Sequence, residues 1–374
     1  MFILEKEAHE KLDKFLKDFI QEGYKIKIIS LAQKKNKNNK FTMVKISRNG
    51  LLSLYFSLIQ DLSGRIKFLP IRVSDGSIIE RFMHVKVPPE HSDDIVCPSF
   101  LELKWAYGCP FNCAYCYLQG TLRLLSTKKR PVVKDIVKVK RHLLSLLKAP
   151  LKEPEILNSG ELCDSLMYEK SKYSITRNLI PLFEDTITNK LGHKILLVTK
   201  SNNIEGLLEN SNPKHIIVSF SINSENVFKK WEKGTPHPFL RIEAAKRLSE
   251  IGFEVRVRID PIIPFPKTSW KEDYYKLIDR ILSSFTPSRL TIGSLRGLPS
   301  TIRETKDKSW IVFLKSPSKW GLRQEYKTRR EIYKTIINYM RKEYGYKNIA
   351  LCKETVQMWQ DLEIEWKKCA CNCV

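Results

Sequence analysis

Between residue 99 and about residue 300 the chain alternates short apolar runs with longer amphipathic stretches six times, and this rhythm narrows the fold more than any other feature. The runs at 100–105, 155–158, 194–199, 216–221, 254–259 and 289–293 read as strands. Helical periodicity falls between them, at 133–148, 239–251 and 270–285 among others. In the second of these, Leu240, Ala244, Leu248 and Ile251 make an apolar stripe. Six successive β/α units imply a parallel sheet, because a crossover helix returns each strand in the same direction. Two architectures satisfy this: a partial (β/α)6 TIM-like barrel, or a doubly wound sheet. In either, functional side chains belong at the C-terminal ends of the strands.

The flanks read differently. Residues 7–23 carry Leu12, Phe15, Leu16, Phe19 and Ile20 on one helical face, and the polar tract 33–40 reads as a mobile loop. Strands are expected near 43–46, 51–58, 67–73 and 82–87, with Gly50, Gly64 and Gly76 in turns. Pro88, Pro89 and the acidic stretch 90–94 suggest a boundary, giving an α+β N-terminal domain (1–95), the α/β barrel (96–300) and a C-terminal region (301–374). That last region holds a basic helix over 327–344 and a small Cys-rich extension.

Nine cysteines occur, seven of them in two groups, which favours metal ligation over a disulfide scaffold in so large a chain. The first group, Cys109, Cys113 and Cys116, has Cys-x3-Cys-x2-Cys spacing and follows the first barrel strand directly. Three thiolates in eight residues can wrap one corner of a 4Fe–4S cubane and leave one iron without a protein ligand. Zinc would want a fourth ligand, and none is obvious nearby. The second group is Cys352 with Cys369, Cys371 and Cys373. A second iron–sulfur cluster is one reading of it; zinc, a redox thiol group or a plain tail are others.

The strand ends supply the remaining candidates. Glu161, in Ser159-Gly160-Glu161, can pair with an ammonium or cap the next helix. Lys200 ends the third strand and suits a carboxylate, while Ser221 and Asn223 end the fourth and can bond a ribose or carboxylate. Arg256 and Arg258 alternate along the fifth strand and share a face, for an anion or for a salt bridge within the barrel. Cys163 lies just beyond Glu161 and is either a hydrogen-atom donor or a buried small hydrophobe.

The segment from Cys109 to Gln119, CPFNCAYCYLQ, resembles the cluster loop of the spore photoproduct lyase family of radical S-adenosylmethionine (SAM) proteins. Val198-Thr199-Lys200, Ser219 to Asn223, and Gly234-Thr235 leading to Arg241 to Ala245 match that family in order, over roughly residues 95 to 300. The resemblance implies a partial TIM barrel, one 4Fe–4S cluster and SAM cleaved to a 5′-deoxyadenosyl radical. It further implies repair of thymine photoproducts in DNA and a low-potential electron donor such as flavodoxin or ferredoxin. Glu161, Lys200, Ser221, Asn223 and Arg258 would then face SAM, and Tyr115 and Tyr117 match the family's radical-relay tyrosines. One departure stands out: the family's hydrogen-donor cysteine aligns with Glu161, two residues before Cys163. A paralogue acting on RNA, a peptide or a metabolite is the rival enzyme reading. A nucleic-acid-binding protein with a structural cluster is the rival from another class.

Lys plus Arg exceed Asp plus Glu by 65 to 41, a formal charge of +24, which suits either DNA or RNA binding or a solvated Lys-rich surface. On the late helix Lys327, Arg329, Arg330, Lys334, Arg341 and Lys342 are the first candidates for a polyanion. No apolar run is long enough to span a membrane, and the start of the chain lacks a secretory pattern, so the expected location is the cytoplasm.

Overall fold

A computed structural model of the chain describes residues 12, 13, 15–32, 40–83, 85–368 and 371–374. The tract 33–39 and Cys369 therefore lie outside the described residues. Twelve strands form one sheet in which spatial order follows chain order. They are β1 (Lys25–Ala32), β2 (Lys40–Ser47), β3 (Leu54–Gln60), β4 (Ile66–Val73), β5 (Ile79–Phe82), β6 (Phe100–Leu103), β7 (Ile156–Asn158), β8 (Lys194–Thr199), β9 (Ile216–Ser221), β10 (Glu254–Ile262), β11 (Arg289–Ser294) and β12 (Ile349–Leu351). Neighbours from β1 to β6 pair antiparallel. From β6 to β12 every pair is parallel.

A doubly wound sheet reverses its strand order at a switch point. Here the parallel strands advance without reversal. Both edges of β6 are occupied, by β5 on one side and β7 on the other, so β12 cannot pair with it and the sheet stays open. A short ladder bridges the gap instead: Ile95 and Val96, just before β6, pair antiparallel with Thr355 and Glu354, just after β12.

The six expected parallel strands all form, and β12 is a seventh, in a stretch whose sequence pattern is irregular. In the N-terminal half β1 was not anticipated, and the strand expected at 82–87 lies at β5 instead.

The crossover helices follow their local chemistry. In α1 (Ile136–Leu147) the Asp135 carboxylate accepts from the Val137 N–H, and Val139, Leu143, Leu146 and Leu147 are buried. α2 (Pro238–Glu250) opens with proline in its first turn. Its buried face is Ile242, Ala244, Ala245 and Leu248 together with Arg241. Leu240 and Ile251, expected in the stripe, are about half exposed, because Arg241 turns inward to an ion pair and rotates the face. α3 (Trp270–Ser284) buries Trp270, Tyr274, Leu277, Ile278 and Ile281. α4 (Tyr326–Tyr344) buries Ile332, Tyr333, Ile336, Ile337 and Met340, and ends at left-handed Gly345. Near the start of the chain Leu12, Phe15, Leu16 and Phe19 are buried as expected, but Ile20 is 60% exposed.

Strand register aligns two rows across the sheet: Ser219–Arg256–Arg289 and Ser221–Arg258–Thr291. Paired residues of adjacent strands point to the same face. Residues 371–374 lie against this face. Asn372, fully buried, donates from Nδ2 to Ser219 Oγ (2.8 Å) and to the Val257 carbonyl (2.9 Å), and Thr291 Oγ1 donates to its Oδ1 (2.8 Å). No helix among the described residues is long and apolar enough to cross a membrane.

Candidate functional site

The loop after β6 is pinned on three sides. Gly108 has φ +83°, and a Cβ there would lie 2.2 Å from the Arg130 carbonyl oxygen, so glycine is required. Its N–H donates to the Leu162 carbonyl (2.9 Å), and the Cys109 N–H donates to the Lys129 carbonyl (2.9 Å). Asn112 and Cys113 pair antiparallel with Lys233 and Glu232. Gln119 Nε2 donates back to the carbonyls of Cys113 (3.0 Å) and Ala114 (2.9 Å). The loop thus presents three thiols from a fixed backbone, Cys113 buried, Cys109 and Cys116 partly exposed. Burial pushes the Cys113 thiol up to about 12 and raises Cys109 as well, with the Cys116 charge adding to both. Among the described residues no three His, Cys, Asp or Glu side chains gather tightly enough for a single ion. A cubane asks less convergence, since each thiolate binds its own iron. Three soft donors on one loop suit that group.

Behind the loop lies a buried charge network that the sequence reading missed. Glu232 is 1% exposed and accepts from Lys200 Nζ (2.7 Å), Arg241 Nη1 (2.8 Å) and the Tyr115 hydroxyl. Burial opposes its charge, but Lys200 and Arg241 outweigh this and hold it down to about 2. Lys200 and Tyr115 are thereby committed to Glu232. Tyr117 turns the other way, its hydroxyl donating to the Glu161 carbonyl.

The end of β7 is equally fixed. A Cβ on Gly160 would sit 2.5 Å from Val198 Cβ, so the turn packs directly on β8. Ser159 Oγ donates to the Leu196 carbonyl (2.8 Å), and Asn158 Nδ2 donates to Glu161 Oε1 (2.9 Å). Asp164 accepts from Thr199 Oγ1 (2.7 Å) and the Lys200 N–H (2.6 Å), tying this turn to the end of β8. Cys163 is 4% exposed, sits in the hydrophobic core and directs its thiol to the Ser159 carbonyl (3.4 Å).

On β9 and β10, Ser221 and Arg258 stand side by side. Asn223 is engaged at both ends: Nδ2 donates to the Pro261 carbonyl (2.8 Å), and Oδ1 accepts from the Tyr274 hydroxyl (2.9 Å). Arg258 Nη2 lies 3.2 Å from Cys352 Sγ and 3.9 Å from Cys373 Sγ, so these two thiols of the second group come together at Arg258. Cys371 and Cys373 flank the anchored Asn372.

Two further features are not evident from the sequence pattern. Glu102, on β6, has its carboxyl pushed up to about 7 by burial and by the Glu161 charge, with Lys104 pulling the other way. Residues 103–134, which contain the cluster loop, hold six basic residues and no acidic one, a signal visible in sequence but masked by the total charge. Within that stretch Lys128 and Arg130 are exposed beside a largely exposed Leu124. The late helix is a poorer polyanion surface than expected, because Arg329 is 4% exposed and pairs with Glu354 (3.1 Å), and Arg330 pairs with Asp361 (3.0 Å).

The family model described as spore photoproduct lyase matches residues 97–350. The spore photoproduct lyase of Bacillus subtilis (strain 168) is 29% identical over 181 residues, 48% of this chain and 50% of the relative. That of Geobacillus sp. (strain Y412MC61) is 25% identical over 177 residues, 47% of this chain and 49% of the relative. The chain thus aligns with about half the length of these curated relatives. A solved spore photoproduct lyase complexed with dinucleoside spore photoproduct superposes with a TM-score of 0.55 at 19% identity, covering 67% of this chain and 75% of that one. A mutant of the lyase with bound AdoMet and dinucleoside spore photoproduct gives 0.55 at 18%, covering 68% and 77%. The structures share the fold; the family match spans the cluster loop and every parallel strand but the end of the last, and on it the chain belongs to the spore photoproduct lyase family.

Proposed function

We propose that this chain is a radical SAM lyase with a partial (β/α) barrel, acting in the cytoplasm on a thymine photoproduct in DNA. The observation that carries the reading is the cluster loop itself, three thiols fixed at the C-terminal end of β6 by bonds to Leu162, Lys129 and the Glu232 strand. A 4Fe–4S cluster held by Cys109, Cys113 and Cys116 supplies, when bound, an open iron for SAM and the electron that cleaves it. Glu161, fixed by Asn158, offers its carboxylate to the SAM ammonium. Arg258 and Ser221 offer a cation and a hydroxyl side by side on neighbouring strands. Lys200 stays on Glu232 and stiffens the loop from behind. Asn223 positions β9 against the turn at Pro261. Tyr117 ties the cluster loop to the Glu161 backbone.

The DNA reading draws support from the basic stretch 103–134 around the loop, where a phosphate backbone would find cations beside the reacting centre. The relatives' names and the dinucleoside photoproduct bound in a solved neighbour point to the same substrate class. Free thiols at Cys97, Cys109, Cys113, Cys116, Cys163 and Cys352 suit a reducing compartment.

The test is anaerobic incubation of the reduced protein with SAM and UV-irradiated DNA, followed by mass spectrometry. The expected products are 5′-deoxyadenosine and repaired thymine, both absent when Cys109, Cys113 and Cys116 are alanine. SAM cleavage surviving in that variant overturns the radical SAM reading. Cleavage by the wild type without repaired thymine overturns the DNA substrate. Because the Cys163 thiol faces the Ser159 carbonyl, Cys163→Ala should leave the product distribution unchanged.

A further inference from the structure

We propose that Cys97, Cys352, Cys371 and Cys373 hold a second iron–sulfur cluster, on the sheet face that also carries Arg258. The sequence grouped Cys352 with the tail; the fold adds Cys97. Val96 is the register partner of Glu354 in the ladder that bridges β6 and β12, so Cys97 and Cys352 leave that ladder on adjacent strands. The tail delivers the other two. Asn372 is locked by Ser219, Thr291 and Val257, which fixes the residues on either side of it. One guanidinium nitrogen, Arg258 Nη2, reaches both Cys352 Sγ (3.2 Å) and Cys373 Sγ (3.9 Å). All four cysteines are 6–7% exposed. Like the three loop thiols they do not converge on a single point, and a cubane needs only that each sulfur reach its own iron.

The surrounding charge calls for an anion. Arg258 and Arg296 share one carboxylate, Asp260, at 3.6 and 2.9 Å. Arg323 and Arg329 likewise share Glu354, at 2.7 and 3.1 Å. With Glu161, whose charge also acts on Arg258, four guanidiniums thus face three carboxylates, and Arg258 Nε is buried without a hydrogen-bond partner. A buried excess of positive charge is costly. Neutral thiols do not relieve it. Metal binding releases those protons and turns the sulfurs into ligating thiolates. A four-thiolate cluster is anionic, and guanidinium N–H groups donating to its sulfurs would tune its potential.

The experiment uses the full chain with Cys109, Cys113 and Cys116 changed to alanine, which empties the first site. Ferrous iron and inorganic sulfide are supplied anaerobically, and iron, sulfide and zinc are counted per chain. The expected result is about four iron and four sulfide, against about eight of each in the wild type. Adding Cys352→Ala and Cys373→Ala should remove them. Alkylation and peptide mapping should find Cys97, Cys352, Cys371 and Cys373 protected in the loaded protein and labelled after chelation. A triple variant that keeps the wild-type circular dichroism yet holds no iron overturns the proposal. So does iron that survives the added substitutions, or about one zinc in place of iron. These counts do not depend on SAM cleavage, so failure here and failure of the proposed lyase chemistry are read separately.

Discussion

Glu102 carries a pH dependence that can be worked from its surroundings. It sits on β6 with its side chain 15% exposed, and Lys104, its nearest cation at 3.6 Å, also bonds Glu80. Half-compensated and facing Glu161, the carboxyl titrates at about 7 when folded, against an ordinary 4.5. The folded state therefore binds the proton more tightly than the unfolded chain. Stability is lost as pH rises from the unfolded value to the folded one, and above about 7 the loss is complete. With ~1.4 kcal/mol for each pH unit between the two values, the cost is about 1 kcal/mol at pH 5 and about 3 kcal/mol at pH 8. Glu102→Gln keeps the shape of the protonated acid and removes the titration. In urea melts of the metal-free chain, the variant should gain about 2 kcal/mol on the wild type between pH 5 and pH 8. A stability difference that stays flat across that range, or that shrinks with rising pH, would refute the reasoning.

Glu232→Ala leaves Lys200 and Arg241 buried without their shared partner and should cost about 3–5 kcal/mol in denaturant melts, with lowered iron loading of the cluster loop that Glu232 backs. Changing Arg123, Lys128 and Arg130 together to alanine should reduce the slope of log affinity for DNA against log salt by up to about 3, measured by fluorescence anisotropy; an unchanged slope would remove the loop from the interface.

Local pattern and distant partners account for what the sequence made legible. The six strands from 100 to 293 could be found because each is flanked by helical periodicity, and their rhythm needs no knowledge of tertiary contacts. β12 could not, being three residues long and recognisable only by its pairing with β11. β1 alternates lysine with isoleucine, and its role appears only against β2. The cluster cysteines declared themselves by spacing. Glu232 did not, because its partners lie 32 residues before it and 9 after, and a glutamate beside lysines reads as solvent-facing. Arg241 misled for the same reason: buried charge is invisible until its counter-charge is in place. Cys97 stood alone in sequence, and only the ladder across the open sheet brings it to Cys352.

That ladder also bears on how the molecule assembles. It joins residues roughly 260 positions apart. For a flexible chain, closing so long a loop costs about 3 kcal/mol more than closing one of ten residues. A contact of this span gains little until the intervening parallel strands have already drawn the two ends together, so it forms late. During synthesis the first ladder strand leaves the ribosome long before its partner exists, and the face that receives residues 371–374 waits uncovered until then. Residues 371–374 thus dock late and, in the metal-free chain, come away early. Amide exchange should find residues 349–355 and 371–374 opening well before β8–β10, giving the sheet a slow, reversible door on one side and a permanent wall on the other.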